Sequence, residues 1–202
     1  RGAPAYSMLN FGDSYFDQLP IIDSLENKGT GSNYGIEITL EKFLNKGYYA
    51  LLTSSLYESK YKGYDGIERN TAFNGNFILN ALAGKEFKLG KRNFISINLK
   101  VTWAGSLRYI PFYSEQVAPN KFVQVFDYNR AYEERRKDYF RLNGRLGYKL
   151  IMKKFSAELA IDLMNITNHK DIFTQDFNSS TGEMEYAYQF SFMPIGFLRF
   201  QF

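Results

Sequence analysis

The chain has no cysteine and a single histidine, His169. The first absence removes disulfides, thiolate metal sites and cysteine nucleophiles, so stability must come from elsewhere. The second leaves no pair of imidazoles for a histidine-based metal site. A lone histidine in an ITNHKD segment after a strand reads as a loop residue without chemistry. Long apolar runs are missing too, and none approaches the roughly 18 to 20 residues of a spanning helix. That excludes helical membrane insertion. It does not exclude spanning strands, which need only about 9 to 11 residues, half of them apolar. Neither charge sign dominates: 25 basic against 21 acidic residues give a net +4, too balanced for a nucleic-acid footprint. The chain opens on Arg1 with no methionine and no signal-like segment, so a processed product or an excised piece of a longer protein is expected.

What is present in quantity is aromatic. Aromatics make up 18% of the residues, with 16 Tyr and 19 Phe, which is high for a soluble domain and usual for a barrel with aromatic girdles. A mean hydropathy of −0.37 does not argue against a membrane, since only every second residue of a spanning strand is apolar. Alternation predicts seven strands, at about 32–44, 47–60, 73–89, 94–108, 138–151, 155–167 and 188–202. In the clearest, Phe155, Ala157, Leu159, Ile161 and Leu163 alternate with Ser156, Glu158, Ala160 and Asp162. Around 140–150 a face of Phe140, Leu142, Leu146, Tyr148 and Leu150 opposes one carrying Arg141, Arg145 and Lys149, three long cations that suit a wet lumen. The last run, Tyr188 to Phe202, is expected to place Phe190, Phe192, Leu198, Phe200 and Phe202 on one face and Gln189, Ser191, Arg199 and Gln201 on the other. Segments 47–60 and 73–89 alternate less cleanly and leave their register open.

The connections alternate in length. Asn45-Lys46, Gly90 to Asn93 and Met152 to Lys154 are tight polar turns, whereas the links near 8–31, 61–72, 109–137 and 168–187 are long. Strict parity of this kind is a property of membrane barrels, whose periplasmic turns are short and extracellular loops long. In a compact soluble domain, loops beyond about 12 to 15 residues count against the assignment. The competing reading is a soluble β-sandwich or a lipocalin-like binding module in which the apolar faces form a core.

The runs NKGTGSNYGIEITLEKFLNKGYY (27–49), RNTAFNGNFILNALAGKEFKLGK (69–91), DYFRLNGRLGYKL (138–150), IDLMNITNHKDIF (161–173) and PIGFLRFQF (194–202) resemble the C-terminal barrel portion of TonB-dependent outer-membrane receptors of the Bacteroidetes type. The resemblance covers nearly the whole chain. It implies an all-β fold of antiparallel transmembrane strands, the last third of a 22-stranded barrel whose plug domain and TonB-contacting segment lie outside residues 1–202. A plugged lumen is usual for a barrel of that size. The implied activity is energy-coupled nutrient uptake in the bacterial outer membrane, with no cofactor and no enzymatic step. The implied partners are lipid, the rest of the barrel and plug, TonB, the barrel assembly machinery and a surface lipoprotein. The terminal strand, with Phe192, Leu198, Phe200 and Phe202, is then the signal that the assembly machinery reads.

Several residues are candidates for chemistry. Glu158 and Asp162, four apart on one strand face, lie about 13 Å from each other, too far for a carboxylate pair. They read with Arg141 and Arg145 as lumen charges that meet across neighbouring strands. Gly29-Thr30-Gly31 and Gly63-Tyr64-Asp65-Gly66 lack the strand-to-helix context of a phosphate cradle and read as turns. Glu133 to Asp138 mixes both signs and reads as a solvated loop face. The best ligand candidates are loop aromatics, Tyr61, Tyr64, Tyr109, Phe112, Tyr113, Tyr128 and Tyr132, on which a sugar, peptide or siderophore could stack or hydrogen-bond. The alternative for them is an outer aromatic girdle or loop-on-loop packing.

Overall fold

Alternating branched or aromatic and small or polar side chains fold into antiparallel strands throughout the computed structural model, which describes residues 26–202. In chain order the first seven are β1 (Thr30–Asn45), β2 (Tyr48–Lys62), β3 (Glu68–Asn70), β4 (Phe77–Lys88), β5 (Asn93–Ala104), β6 (Arg108–Tyr109) and β7 (Phe112–Ala118). The rest are β8 (Lys121–Phe126), β9 (Glu134–Arg135), β10 (Tyr139–Ile151), β11 (Ser156–Met164), β12 (Ile172–Asn178), β13 (Glu183–Tyr188) and β14 (Met193–Gln201). One sheet runs β1-β2-β4-β5-β10-β11-β14, each strand beside the next in sequence order, with β3 added to β2. These are the seven expected strands. Among the described residues the sheet is open, its edges being β1 and β14, and the fold is all-β and antiparallel. Much of the predicted link 8–31 falls on residues 1–25, outside the described residues.

The tight turns at 46–47, 89–92 and 152–155 all lie at one end of this sheet, and the connections 63–76, 105–138 and 165–192 all lie at the other. The long connections are not bare loops. They contain the hairpins β7-β8 and β12-β13 and the short pair β6-β9. Strand ends differ from the expected ones where asparagine or glycine intervenes. Strand β4 starts at Phe77 because Asn74 is fully buried and Asn76 turns through φ 72°, a left-handed conformation asparagine tolerates. Strand β11 stops at Met164 because Asn165 adopts φ 51°. Strand β5 stops at Ala104, where the backbones of Gly105 and Gly75 press together so closely that a Cβ on Gly105 would lie 1.7 Å from the Gly75 carbonyl oxygen.

The last strand requires a correction. Phe190 and Phe192 precede β14, so Phe192 does not share the strand face with Leu198 and Phe200. Asparagine side chains replace the ladder there: Asn165 Nδ2 donates to the Phe190 carbonyl at 3.0 Å, and the Phe192 N–H donates to Asn168 Oδ1 at 3.1 Å.

Register assigns every residue of the sheet to a face, including in β2 and β4. Leu40, Leu52, Ala81, Val101 and Leu142 stand in one row, and Ile97, Leu146 and Ile161 in another. Leu159 pairs with Leu198 and Ala157 with Phe200 on the same side. This face is uncovered, with Ile36 71%, Leu40 60%, Leu99 50%, Leu159 56% and Leu198 62% exposed. Aromatics bound it at both ends. Tyr34, Phe77, Trp103 and Phe140 lie towards the long connections, and Tyr48, Phe87, Tyr148 and Phe200 towards the short turns. The opposite face is more polar, carrying Glu37, Thr39, Thr53, Ser55, Asn98, Lys100, Thr102, Arg145, Glu158 and Asp162, with apolar residues such as Leu51, Ile78, Leu82, Phe94, Ile195 and Phe197 among them.

The buried apolar residues are few: Tyr61, Ile110, Ala131, Tyr132 and Ala160 among the described residues. Four of these cluster together beneath the long connections and not against the sheet's apolar face.

Candidate functional site

Four charged residues of the polar face were expected to meet across strands, and two ladders bring three of them together. Arg145 on β10 is opposite Asp162 on β11, and Lys149 is opposite Glu158. The Arg145 guanidinium reaches both acids, with Nη2 3.1 Å from Glu158 Oε1 and Nη1 3.5 Å from Asp162 Oδ1. Arg199 on β14 approaches Glu158 from the other side at 4.0 Å, and both arginines lie 4.9 Å from the centre of the Phe197 ring. One cation between two carboxylates explains how Glu158 and Asp162 coexist on one strand face. Arg141 goes elsewhere. Its Nη2 donates to Gln189 Oε1 at 2.9 Å and lies 3.7 Å from Asp171 Oδ2 in the last long connection.

The loop aromatics divide into two groups. Tyr61 and Tyr132 are 3% and 4% exposed and meet edge to face at 6.3 Å, with Ile110 and Ala131 around them and Tyr128 packed against the group. Tyr61 and Tyr132 are buried and Tyr128 is half-buried in a core between connections 63–76 and 105–138, the loop-on-loop packing that stood as the alternative to ligand contact for these rings. Burial pushes the Tyr128 phenol above its ordinary pKa. Tyr64 and Tyr113 are freely exposed, at 72% and 59%. Phe112 joins two hairpins, edge-on to Phe126 at 5.9 Å and to Phe177 at 6.1 Å. The same docking is fixed by the Phe122 N–H, which donates to the Ser179 carbonyl at 2.7 Å.

Tyr109 and Phe112 border a cleft of about 1070 Å³ between connections 105–138 and 165–192. Its walls include Tyr109, Tyr139, Phe173, Tyr186 and Tyr188, and the run Glu134 to Asp138 forms much of one side. That run was expected to be a solvated face. Instead it is partly engaged, because β9 pairs Glu134 and Arg135 with β6. The Tyr109 hydroxyl donates to Glu134 Oε2 at 2.5 Å. That bond, with burial second, raises the Tyr109 pKa, and the same bond holds the Glu134 carboxyl below its usual range. Arg130 Nη2 pairs with Glu134 Oε1 at 2.8 Å, and Arg135 Nη2 with Asp138 Oδ1 at 3.2 Å. Asp171, 6% exposed at the cleft wall, accepts from the Phe140 N–H at 3.3 Å through Oδ1, and His169 Nε2 lies 3.6 Å from the same oxygen.

Sequence reasoning missed three residues that hold the connections in place. Arg108 Nε donates to the Asn74 carbonyl at 2.8 Å, Nη2 to Asn76 Oδ1 at 3.0 Å and Nη1 to the Glu133 carbonyl at 2.9 Å, so that one guanidinium ties two long connections. Burial, then the neighbouring Arg135, lowers its pKa from the usual arginine value. Asn74 accepts from the Ser59 N–H at 3.1 Å and donates to Asn70 Oδ1 at 2.8 Å. Asn165 donates to the His169 and Phe190 carbonyls and accepts from the His169 N–H. Asparagine repeated in NTAFNGN and NITN was the available signal, because this side chain both imitates a backbone amide and tolerates positive φ. Asp65 was read as a turn residue and is one, accepting from the Ile67 N–H at 3.1 Å. It also pairs with Arg69 at 2.7 Å, and that hydrogen bond holds its carboxyl below the usual range.

Among the described residues no three His, Asp or Glu side chains converge as metal ligands would. No protein-family model, curated protein or solved structure matches the chain.

Proposed function

We propose that this chain is wall and outer loops of a TonB-dependent outer-membrane receptor, a 22-stranded barrel that imports a scarce nutrient through its lumen with energy from the inner membrane. The observation that carries the reading is the uncovered aliphatic face bounded by aromatics at both ends. From Phe140 to Tyr148 on β10, or Phe77 to Phe87 on β4, the band spans about 27 to 34 Å along the strand. A strand tilt of about 35 to 45° reduces that to a height near 25 Å, the apolar thickness a barrel presents to an outer membrane. Monomeric soluble proteins rarely leave apolar patches beyond a few hundred Å² uncovered, so lipid is the natural cover for this one. The polar face would then line the lumen. Strands β1 and β14 would pair with the remaining strands, since an unpaired edge in hydrocarbon leaves backbone N–H and C=O groups unsatisfied.

The orientation follows from the ends of the sheet. Long connections face the medium and short turns face the periplasm. The absence of native cysteine from the chain makes this testable on intact cells. Ser180→Cys and Tyr64→Cys, in long connections, should react with a membrane-impermeant maleimide on whole cells. Lys46→Cys and Lys153→Cys, in short turns, should react only after the outer membrane is opened. Equal labelling of both sets on intact cells, or the reverse pattern, overturns the topology.

A further inference from the structure

We infer that the cleft between connections 105–138 and 165–192 binds a small molecule bearing a carboxylate or phosphate group on a flat ring system. The inference rests on the proposed receptor function, in that the long connections face the medium and receive solute, and it names the chemistry of the solute. Charge accounting within the cleft carries it. Three acids line the wall, and each has an arginine within ion-pair distance: Glu134 has Arg130 at 2.8 Å, Asp138 has Arg135 at 3.2 Å, and Asp171 has Arg141 at 3.7 Å, with Asp171 Oδ2 left without a hydrogen bond. Besides Arg130 and Arg135, three further cations line it, Arg136, Lys137 and Lys170, and none of these three forms an ion pair among the described residues. An oxyanion entering the cleft would supply the counter-charge that these three side chains lack, and a guanidinium among them suits carboxylate and phosphate.

The surplus charge is set beside aromatic rings. Lys170 Nζ lies 5.8 Å from the centre of the Tyr188 ring, and Tyr186 lines the cleft on the same hairpin. Rings beside cations suit a ligand that stacks with its flat part while its oxyanion meets the charge. A volume near 1070 Å³ admits a molecule well above the size of a single ring.

The test uses the full-length protein in detergent micelles and titrates phenyl phosphate, benzoate and the neutral phenyl β-glucoside by calorimetry at two salt concentrations. Either anion should bind more tightly than the glucoside, with an affinity that falls as salt rises. Preference for phenyl phosphate assigns a phosphate source, and preference for benzoate a carboxylate source. Arg136→Gln and, separately, Lys170→Gln should each weaken the favoured anion about tenfold and leave the glucoside unchanged. Lys170→Gln alters an exposed side chain and so reads out charge even if Arg136→Gln disturbs the fold. Glucoside binding as tight as that of both anions, or unchanged anion binding in both variants, overturns the ligand class. Spin labels on the apolar face, read in the same preparation, report separately on the membrane reading. Oxygen-exposed labels with no anion preference sink the ligand class alone, whereas anion preference with labels buried in protein sinks the receptor reading.

Discussion

At the scale of single residues, the two faces of one strand set opposite tolerances. Leu159 and Asp162 are three apart on β11, yet one is 56% exposed among aliphatic side chains and the other pairs with Arg145 at 3.5 Å. If the first contacts lipid, Leu159→Arg places a charge near mid-membrane and should cost about 2 to 4 kcal/mol. Asp162→Asn or Arg145→Gln removes one half of a partly exposed pair and should cost about 1 kcal/mol or less. Reversible unfolding in lipid vesicles measures both, and equal tolerance at the two sites would contradict the assigned facing. The buried asparagines lie outside this logic. Asn74 and Asn165 are 0% exposed, and each holds several backbone or side-chain partners whose loss would leave polar groups unsatisfied in the interior.

At the scale of elements, the terminal strand carries two demands at once. Leu198 and Phe200 lie on the apolar face of β14, opposite Leu159 and Ala157, and Phe202 follows the strand with its ring 6.3 Å from Phe155. In the proposed receptor this strand closes the barrel and is also what the assembly machinery recognises. Replacing Phe200 and Phe202 with serine should therefore lower the amount of heat-modifiable receptor in the outer membrane without changing ligand affinity per assembled molecule. Normal assembly with weakened binding would place the terminus in a ligand site. The seven strands, and the faces of those that alternate cleanly, were legible in the sequence because alternation of period two is local: Leu146 and Arg145 declare their sides without reference to a neighbour, whereas β2 and β4, with Ser54 and Lys85 on the apolar side, did not. The connections were not legible, because their contacts are distant in sequence. Arg108 reaches Asn74 and Asn76 more than thirty residues back, and Tyr61 is buried by Tyr132, seventy-one residues on. A loop tyrosine looks the same in sequence whether it awaits a ligand or another tyrosine. The cleft shares this difficulty: the charges of Glu133 to Asp138 were visible, but which of them are matched depends on partners such as Arg130, and on connection 165–192 folding beside them.

At the scale of the whole molecule, the described residues form an open sheet with an apolar face, a polar face, a turn end and a loop end. Such a sheet is incomplete in water, since the cluster of buried apolar side chains found among the described residues lies beneath the connections. Two kinds of cover would complete it, a second protein layer or lipid, and the choice between them decides the proposed function. Spin labels at Leu99, Leu146, Leu159 and Ile161 on the apolar face, and at Asn98, Lys100 and Arg145 on the polar face, distinguish the two in the full-length protein reconstituted in lipid. The membrane account predicts that the first set is relaxed by oxygen and shielded from a water-soluble nickel reagent, and that the second set is reached by nickel to the extent that the lumen is wet. Shielding of the first set from both reagents would indicate a protein core and contradict the account.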